Sequence, residues 1–159
     1  MKTILFVEDS KSAGSIVTAR IMAESSYDVL WVQTMAEAVS ALDTPGNNFF
    51  AALLDYNLAD ASDGQIISEV VGRNIPVIVF TGGVSEKIRK IIWSNAVVDY
   101  VLKSNERSIE YIIQMLQRLE KNVETKILVV DDSVSLRKGI SNLLKVHRYQ
   151  VLNANNGIE

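Results

Sequence analysis

Five short apolar runs, each followed by a stretch with helical spacing, constrain this chain more than any other feature. The runs are Thr3–Val7, Asp28–Val32, Phe50–Leu54, Pro76–Phe80 and Asp99–Leu102, all of strand length and rich in β-branched or aromatic residues. Between them, Ala13, Ile16, Val17 and Ile21 fit one helical face, as do Ile88, Ile91 and Ile92, and then Ile109, Ile112, Ile113 and Leu116. Breakers fall where turns are needed, with TPGNN before the third run and GGVS after the fourth. Strands alternating with helices point to βαβ units and a parallel sheet covered on both faces. The near-continuous apolar strands agree, because a strand buried on both faces need not alternate. Residues 1–121 are therefore expected to form one α/β domain, a doubly wound five-stranded parallel sheet.

The rest of the chain repeats its beginning. ILFVEDS at residues 4–10 returns as ILVVDDS at 127–133, and YDVL at 27–30 returns as YQVL at 149–152. A one-residue gap in the first helix reconciles the two matches. So long a period means duplication of a domain and not a solenoid repeat. Residues 122–125 read as a linker and 126–159 as a partial βαβ second copy. It has a strand at Ile127–Val130, a helix carrying Leu136, Ile140, Leu143 and Leu144, and a second strand. A piece this short falls below the about 40 residues that fold without staples or partners. The expectation is that the sequence is part of a longer protein.

Of the 159 residues, 48% are hydrophobic and 22% charged, an ordinary globular composition. No apolar run approaches the about 18 residues of a membrane span, and the acidic residues that follow the first strand do not suit a signal peptide. The absence of cysteine removes disulfides and thiolate metal sites and suits a cytoplasmic protein. A net charge of −3 argues against direct nucleic-acid binding. The densest basic spot, Lys87, Arg89 and Lys90, reads as a solvated helix face.

In an open α/β sheet, ligands bind beyond the carboxyl ends of the strands. Those ends carry Glu8 and Asp9, then Asp55, Thr81 and Lys103. Singly, each has an ordinary explanation: Asp9 or Ser10 as a helix cap, Thr81 as a turn residue, Lys103 as a solvated cation. Together they make a site. With the first and third strands adjacent, three carboxylates converge, and each like-charge pair ~4 Å apart costs about 4 kcal/mol at an effective dielectric near 20. Such a cluster needs protons or a cation, and an all-oxygen donor set favours Mg²⁺ over zinc. A lysine and a threonine hydroxyl facing the same point suit an anion beside the metal, as in phosphoryl transfer. Asp55, ending the central strand, is the candidate nucleophile for an aspartyl-phosphate. Gly82 and Gly83 leave room for phosphate oxygens.

Glu8–Asp9, Asp55 after its apolar strand, VFTGG with Thr81 and DYVLKS with Lys103 form an ordered set that resembles the receiver domains of two-component response regulators. The resemblance covers residues 1–121, with the partial copy at 126–159. It implies a flavodoxin-like strand order 2-1-3-4-5 and phosphorylation of Asp55 by a histidine kinase or phosphotransfer protein. It also implies Mg²⁺ held by Glu8, Asp9, Asp55 and the main-chain carbonyl of Asn57, with Thr81 and Lys103 on the phosphoryl oxygens. Tyr100 matches the aromatic switch position. Three departures stand out: Glu8 where aspartate is usual, a longer loop with Ala59 in place of proline, and Ser104 in place of the proline after Lys103. They bear on switching and phosphate lifetime more than on the fold.

The usual signalling face of the family is the fourth helix, fifth strand and fifth helix, where Trp93, Tyr100, Tyr111 and Met115 are candidates for a homodimer contact. Asp131 and Asp132 repeat the acidic pair, without counterparts of Asp55, Thr81 or Lys103. The chain reads as a self-phosphorylating signalling module and not a turnover enzyme. By analogy alone, an output domain such as a diguanylate cyclase or phosphodiesterase belongs to the longer protein. Two alternatives remain. One is a haloacid-dehalogenase-like phosphohydrolase, against which Asn57 stands where that family has a second aspartate. The other is a degenerate receiver that only binds partners.

Overall fold

A computed structural model describes residues 1–83, 85–94, 96–104 and 107–158; the side chains of Lys87, Ile92 and Trp93 lie outside that description. The elements in order are β1 (Lys2–Val7), α1 (Lys11–Glu24), β2 (Tyr27–Val32), α2 (Met35–Asp43), β3 (Phe49–Leu54), α3 (Gln65–Val71), β4 (Val77–Thr81), α4 (Glu86–Ser94), β5 (Asp99–Leu102), α5 (Ser108–Asn122), β6 (Lys126–Val130), α6 (Val134–Val146) and β7 (Gln150–Ala154). They fall into two compact units, Met1–Ile113 and Gln114–Glu159, with the division inside α5.

In the first unit all five strands are parallel, in the order β2-β1-β3-β4-β5. The sheet is the expected doubly wound one. Each predicted strand is found to within a residue or so. Pro76 stays outside β4, since it has no N–H for the ladder, but its carbonyl still accepts a hydrogen bond from Ala52 N at 2.8 Å. The central strand β3, FFAALL, is buried along its whole length. One sheet face, with Leu5, Val7, Ala52, Leu54, Val77 and Val79, packs against Ala38 of α2, Ile66, Ile67 and Val70 of α3, and Ile88 of α4. Strand alternation turns Ile4, Phe6, Leu53 and Phe80 to the other face, where Phe80 shares a cleft with Ala13 and Val17 of α1 and Ile109 of α5. At about 1.5–3 kcal/mol per buried large apolar side chain, these two layers are the main source of stability.

One expectation fails on α1. Ile16 is 58% exposed, and the buried stripe is Gly14, Val17 and Ile21. At about 100° per residue, positions three and seven beyond Gly14 share its face, whereas Ile16 is turned away.

The fold places the site because β1 lies between β2 and β3. The chain leaves β1 to one side, returns to the other, and opens a crevice at the carboxyl ends of β1 and β3 where the winding reverses.

In the second unit β6 and β7 are parallel and α6 packs against them. Its apolar residues differ from their counterparts in the first copy. Leu128 is 59% exposed where Leu5 is fully buried, and Leu136, Ile140 and Leu143 of α6 are exposed too. Among the described residues, β6 has a strand on one edge only.

Candidate functional site

Three strand ends deliver the charged groups. Glu8 directly follows β1 and is completely buried. Its N–H donates to the Val32 carbonyl (3.0 Å), its carbonyl accepts from the Trp31 indole N–H (2.9 Å), and its Oε1 accepts from Ser10 N (3.2 Å). Asp55 follows β3, with its N–H on the Val7 carbonyl (2.9 Å) and its Oδ1 accepting from Asn57 N (3.2 Å). Lys103 follows β5, its N–H donated to the Thr81 carbonyl (2.9 Å). The Lys103 ammonium reaches inward to Glu8 Oε2 at 2.6 Å and Asp55 Oδ2 at 2.7 Å. One cation thus ties together the ends of β1, β3 and β5.

Burial pushes the Glu8 carboxyl upward, and the Asp55 charge adds to this, against the opposing pull of Lys103 and the Ser10 N–H. For Lys103, burial works against the charged form, but hydrogen bonds and charge from Asp55 and Glu8 outweigh it and the ammonium is held above its usual range. The pair is mutually dependent: the ammonium is what allows two buried carboxylates to stand side by side.

Asp9 is the solvent-open member of the group. Carboxylate oxygens of Glu8, Asp9 and Asp55 lie within 4.8 Å of one another. This cluster of hard oxygen donors, without nitrogen or sulfur, fits a divalent cation of the Mg²⁺ or Mn²⁺ kind. Asn57 adjoins it through the N–H on Asp55. Thr81, fully buried, is on the same edge, with its hydroxyl donated to the Gly83 carbonyl at 3.1 Å. A Cβ on Gly82 or Gly83 would meet nothing within 4 Å, so the space above this loop is open.

Among the described residues the acidic cluster consists of Glu8, Asp9 and Asp55. Tyr100 on β5 and Tyr111 on α5 are 40% and 39% exposed, Met115 is buried, and the Trp93 side chain is outside the described residues. In the second unit Asp131 accepts from Ser133 N at Oδ1 (2.8 Å), and Ser133 caps α6 as Ser10 caps α1. No third carboxylate joins Asp131 and Asp132 among the described residues.

Two contacts near these strand ends were not legible in the sequence. Asp60, in the loop after β3, accepts from Met35 N (2.9 Å) and Ala36 N (3.1 Å) and so caps α2 from a distance. Trp31 grips the Glu8 carbonyl; its only signal was Gly14 inside α1, the residue over which the indole lies.

No protein-family model matches the sequence, nor does any curated protein. Solved structures do match. A chain described as a two-component system response regulator/GGDEF domain protein is 29% identical, with a TM-score of 0.83, over 98% of this chain and 62% of its own. A second of the same description gives the same identity and TM-score over 100% of this chain and 64% of its own. This chain has the receiver fold of two-component response regulators. It spans less than two thirds of the length of those two structures. The Mn²⁺-bound response regulator Rcp1 is 26% identical with a TM-score of 0.60, covering 76% of this chain and 93% of its own. At 17% identity, the chemotaxis response regulator CheY4 of Vibrio cholerae shares the fold (TM-score 0.63) over 73% of this chain and 98% of its own. No helix among the described residues is long and apolar enough to cross a membrane.

Proposed function

We propose that this receiver accepts a phosphoryl group on Asp55 from a phosphohistidine of a histidine kinase or phosphotransfer protein. The observation that carries the reading is the Lys103 ammonium bridging Glu8 and Asp55 at the crevice where the sheet reverses. In the transfer an Asp55 carboxylate oxygen attacks phosphorus, the P–N bond to the donor imidazole breaks, and an acyl phosphate forms while the imidazole takes up a proton. Lys103 remains to pair with a phosphoryl oxygen. The Thr81 hydroxyl, donated to Gly83 in the resting state, supplies a second donor when it turns toward the crevice. Glu8, Asp9, Asp55 and the Asn57 carbonyl would hold Mg²⁺, which would supply charge neutralisation for the incoming phosphoryl group.

Phosphorylation then alters the face formed by α4, β5 and α5, where Tyr100 serves as the switch and the exposed Tyr100, Leu102 and Tyr111 offer a contact for a homodimer or an output domain. The GGDEF description of the two 29% identical structures favours a cyclic-dinucleotide synthase as that output. Residues 1–121 act as the phosphoacceptor domain, 122–125 as linker and 126–159 as part of a second receiver, in a cytoplasmic protein.

The chain is incubated with Mg²⁺ and acetyl phosphate while intact mass and phosphate release are followed, with Asp55→Ala as control. A single phosphoryl adduct that Asp55→Ala abolishes is the expected result. Rapid multiple turnover would instead indicate a phosphohydrolase, and no adduct with any donor would indicate a module that only binds partners.

A further inference from the structure

The backbone of the acidic pair accepts a hydrogen bond from a side chain outside the proposed phosphoacceptor set. Glu8 is held at both of its flanking peptide groups by β2: its N–H donates to Val32, and its carbonyl accepts from the indole of Trp31 at 2.9 Å. A peptide group is planar, so fixing the Glu8 carbonyl fixes the plane that also carries the Asp9 nitrogen. Both acidic side chains therefore start from anchored backbone. The indole reaches this carbonyl by lying directly over Gly14 of α1, where a Cβ would fall 2.1 Å from Trp31 Cε2 and Cζ2. Any larger residue at position 14 excludes the indole.

The second copy reaches the same end by other means. Asp131 corresponds to Glu8, Arg137 to Gly14, and Asn153, opposite Val129 as Trp31 is opposite Phe6, to Trp31. Here the N–H of the first acidic residue again donates to the neighbouring strand, to Ala154 O at 3.3 Å. Its carbonyl accepts a hydrogen bond from the Arg137 guanidinium. The donor comes from the helix position that is glycine in the first unit, and the strand position has shrunk from tryptophan to asparagine, which accepts from Ser141 (2.6 Å). The two arrangements exclude one another sterically, yet both leave the same carbonyl with a side-chain N–H donor. An incidental tryptophan contact would give no reason for the other copy to replace it so closely.

We propose that Trp31, admitted by Gly14, is a positioning residue for the metal-binding acidic pair, acting through the Glu8 carbonyl. The inference rests on the metal-binding part of the proposed function. Residues that orient ligands in this way change metal affinity about 10–100-fold when lost, and the lower end is expected for one hydrogen bond to backbone.

The test is Mg²⁺ titration of the whole chain by calorimetry, with a urea unfolding curve for each variant and the indole N–H resonance of residue 31 followed by NMR. Trp31→Phe keeps an aromatic ring and removes the donor; Mg²⁺ should bind about tenfold more weakly. The paired change Gly14→Arg with Trp31→Asn transplants the second-copy arrangement and should recover affinity to within about threefold of the starting protein. In the unaltered chain the residue-31 indole resonance should shift on Mg²⁺ addition. A folded Trp31→Phe chain with unaltered Mg²⁺ affinity would overturn the positioning role while leaving the metal site in place. Failure of the unaltered chain to bind Mg²⁺ would remove the metal reading, and the positioning role with it. Weakening by Trp31→Phe without recovery in the paired variant would overturn the equivalence of the two arrangements and the role inferred from it.

Discussion

Replacing Lys103 with methionine tests the electrostatics of the crevice. The unbranched stem is kept and the ammonium is lost. Lys103 Nζ stands 2.6 Å from Glu8 and 2.7 Å from Asp55, and Glu8 is completely buried. Without the cation, two carboxylates with oxygens within 4.8 Å face each other, a repulsion of about 4 kcal/mol at ~4 Å and an effective dielectric near 20. Breaking a buried ion pair costs about 3–5 kcal/mol, and proton uptake by Glu8 limits the loss, so about 3 kcal/mol is expected at pH 8. The pH dependence follows from Glu8. Burial already raises its carboxyl, and Lys103 is the main restraint on that rise; removing Lys103 lifts it further. A carboxyl with a raised folded-state pKa binds more protons in the native state, so its stabilising effect is present at low pH and is lost as pH rises through the folded value. Lys103 itself, raised from 10.5, stays charged throughout this range. Urea unfolding of both proteins without metal, at pH 8 and again near pH 5.5, should show the deficit of Lys103→Met shrinking on acidification. A deficit that is equal at both pH values, or larger in acid, would refute the reasoning.

Asp60→Ala removes the acceptor for Met35 N and Ala36 N at the start of α2 and should cost about 1 kcal/mol, as for a lost helix cap. The hydrogen bond from Met35, then that from Ala36, holds the Asp60 carboxyl below its ordinary 3.8. Its contribution is present above that value and lost as pH falls through the lower folded one, so unfolding curves of the two proteins should converge in acid; a gap that persists there would contradict this. Gly64 opens α3 at φ +70°, and a Cβ there would approach Tyr56 Cε2 to 2.7 Å. Gly64→Ala should therefore destabilise by about 1–2 kcal/mol from the left-handed backbone alone, and a neutral result in thermal unfolding would count against it.

The sheet was legible because its signal is local: a strand such as FFAALL, buried along its length, is apolar at every position. The site was legible as residue types at strand ends, because parallel winding gathers those ends on one edge. The pairing was not. That Lys103 reaches Glu8 as well as Asp55 depends on β1 lying next to β3, with β5 two strands further along. Ile16 was misassigned because its hydrophobicity says nothing of phase, whereas Gly14, Val17 and Ile21 share the buried stripe. Trp31 was missed for the opposite reason. Its role lies in a contact among β2, α1 and the end of β1, and a glycine in a helix discloses it only beside the other copy, where arginine stands in that place. The face at α4–β5–α5 divided likewise: periodicity does not separate the buried Met115 from the exposed Tyr111.

The central claim is that Asp55 carries the phosphoryl group, and borohydride trapping tests it most directly. An acyl phosphate is reduced to the alcohol, so an aspartyl phosphate at position 55 becomes homoserine, which is located by peptide mass after Mg²⁺ and acetyl phosphate treatment. The account predicts homoserine at residue 55 alone, dependent on both reagents. Homoserine at residue 9 or 131, or no reduced residue in a chain whose intact mass shows phosphorylation, would contradict it.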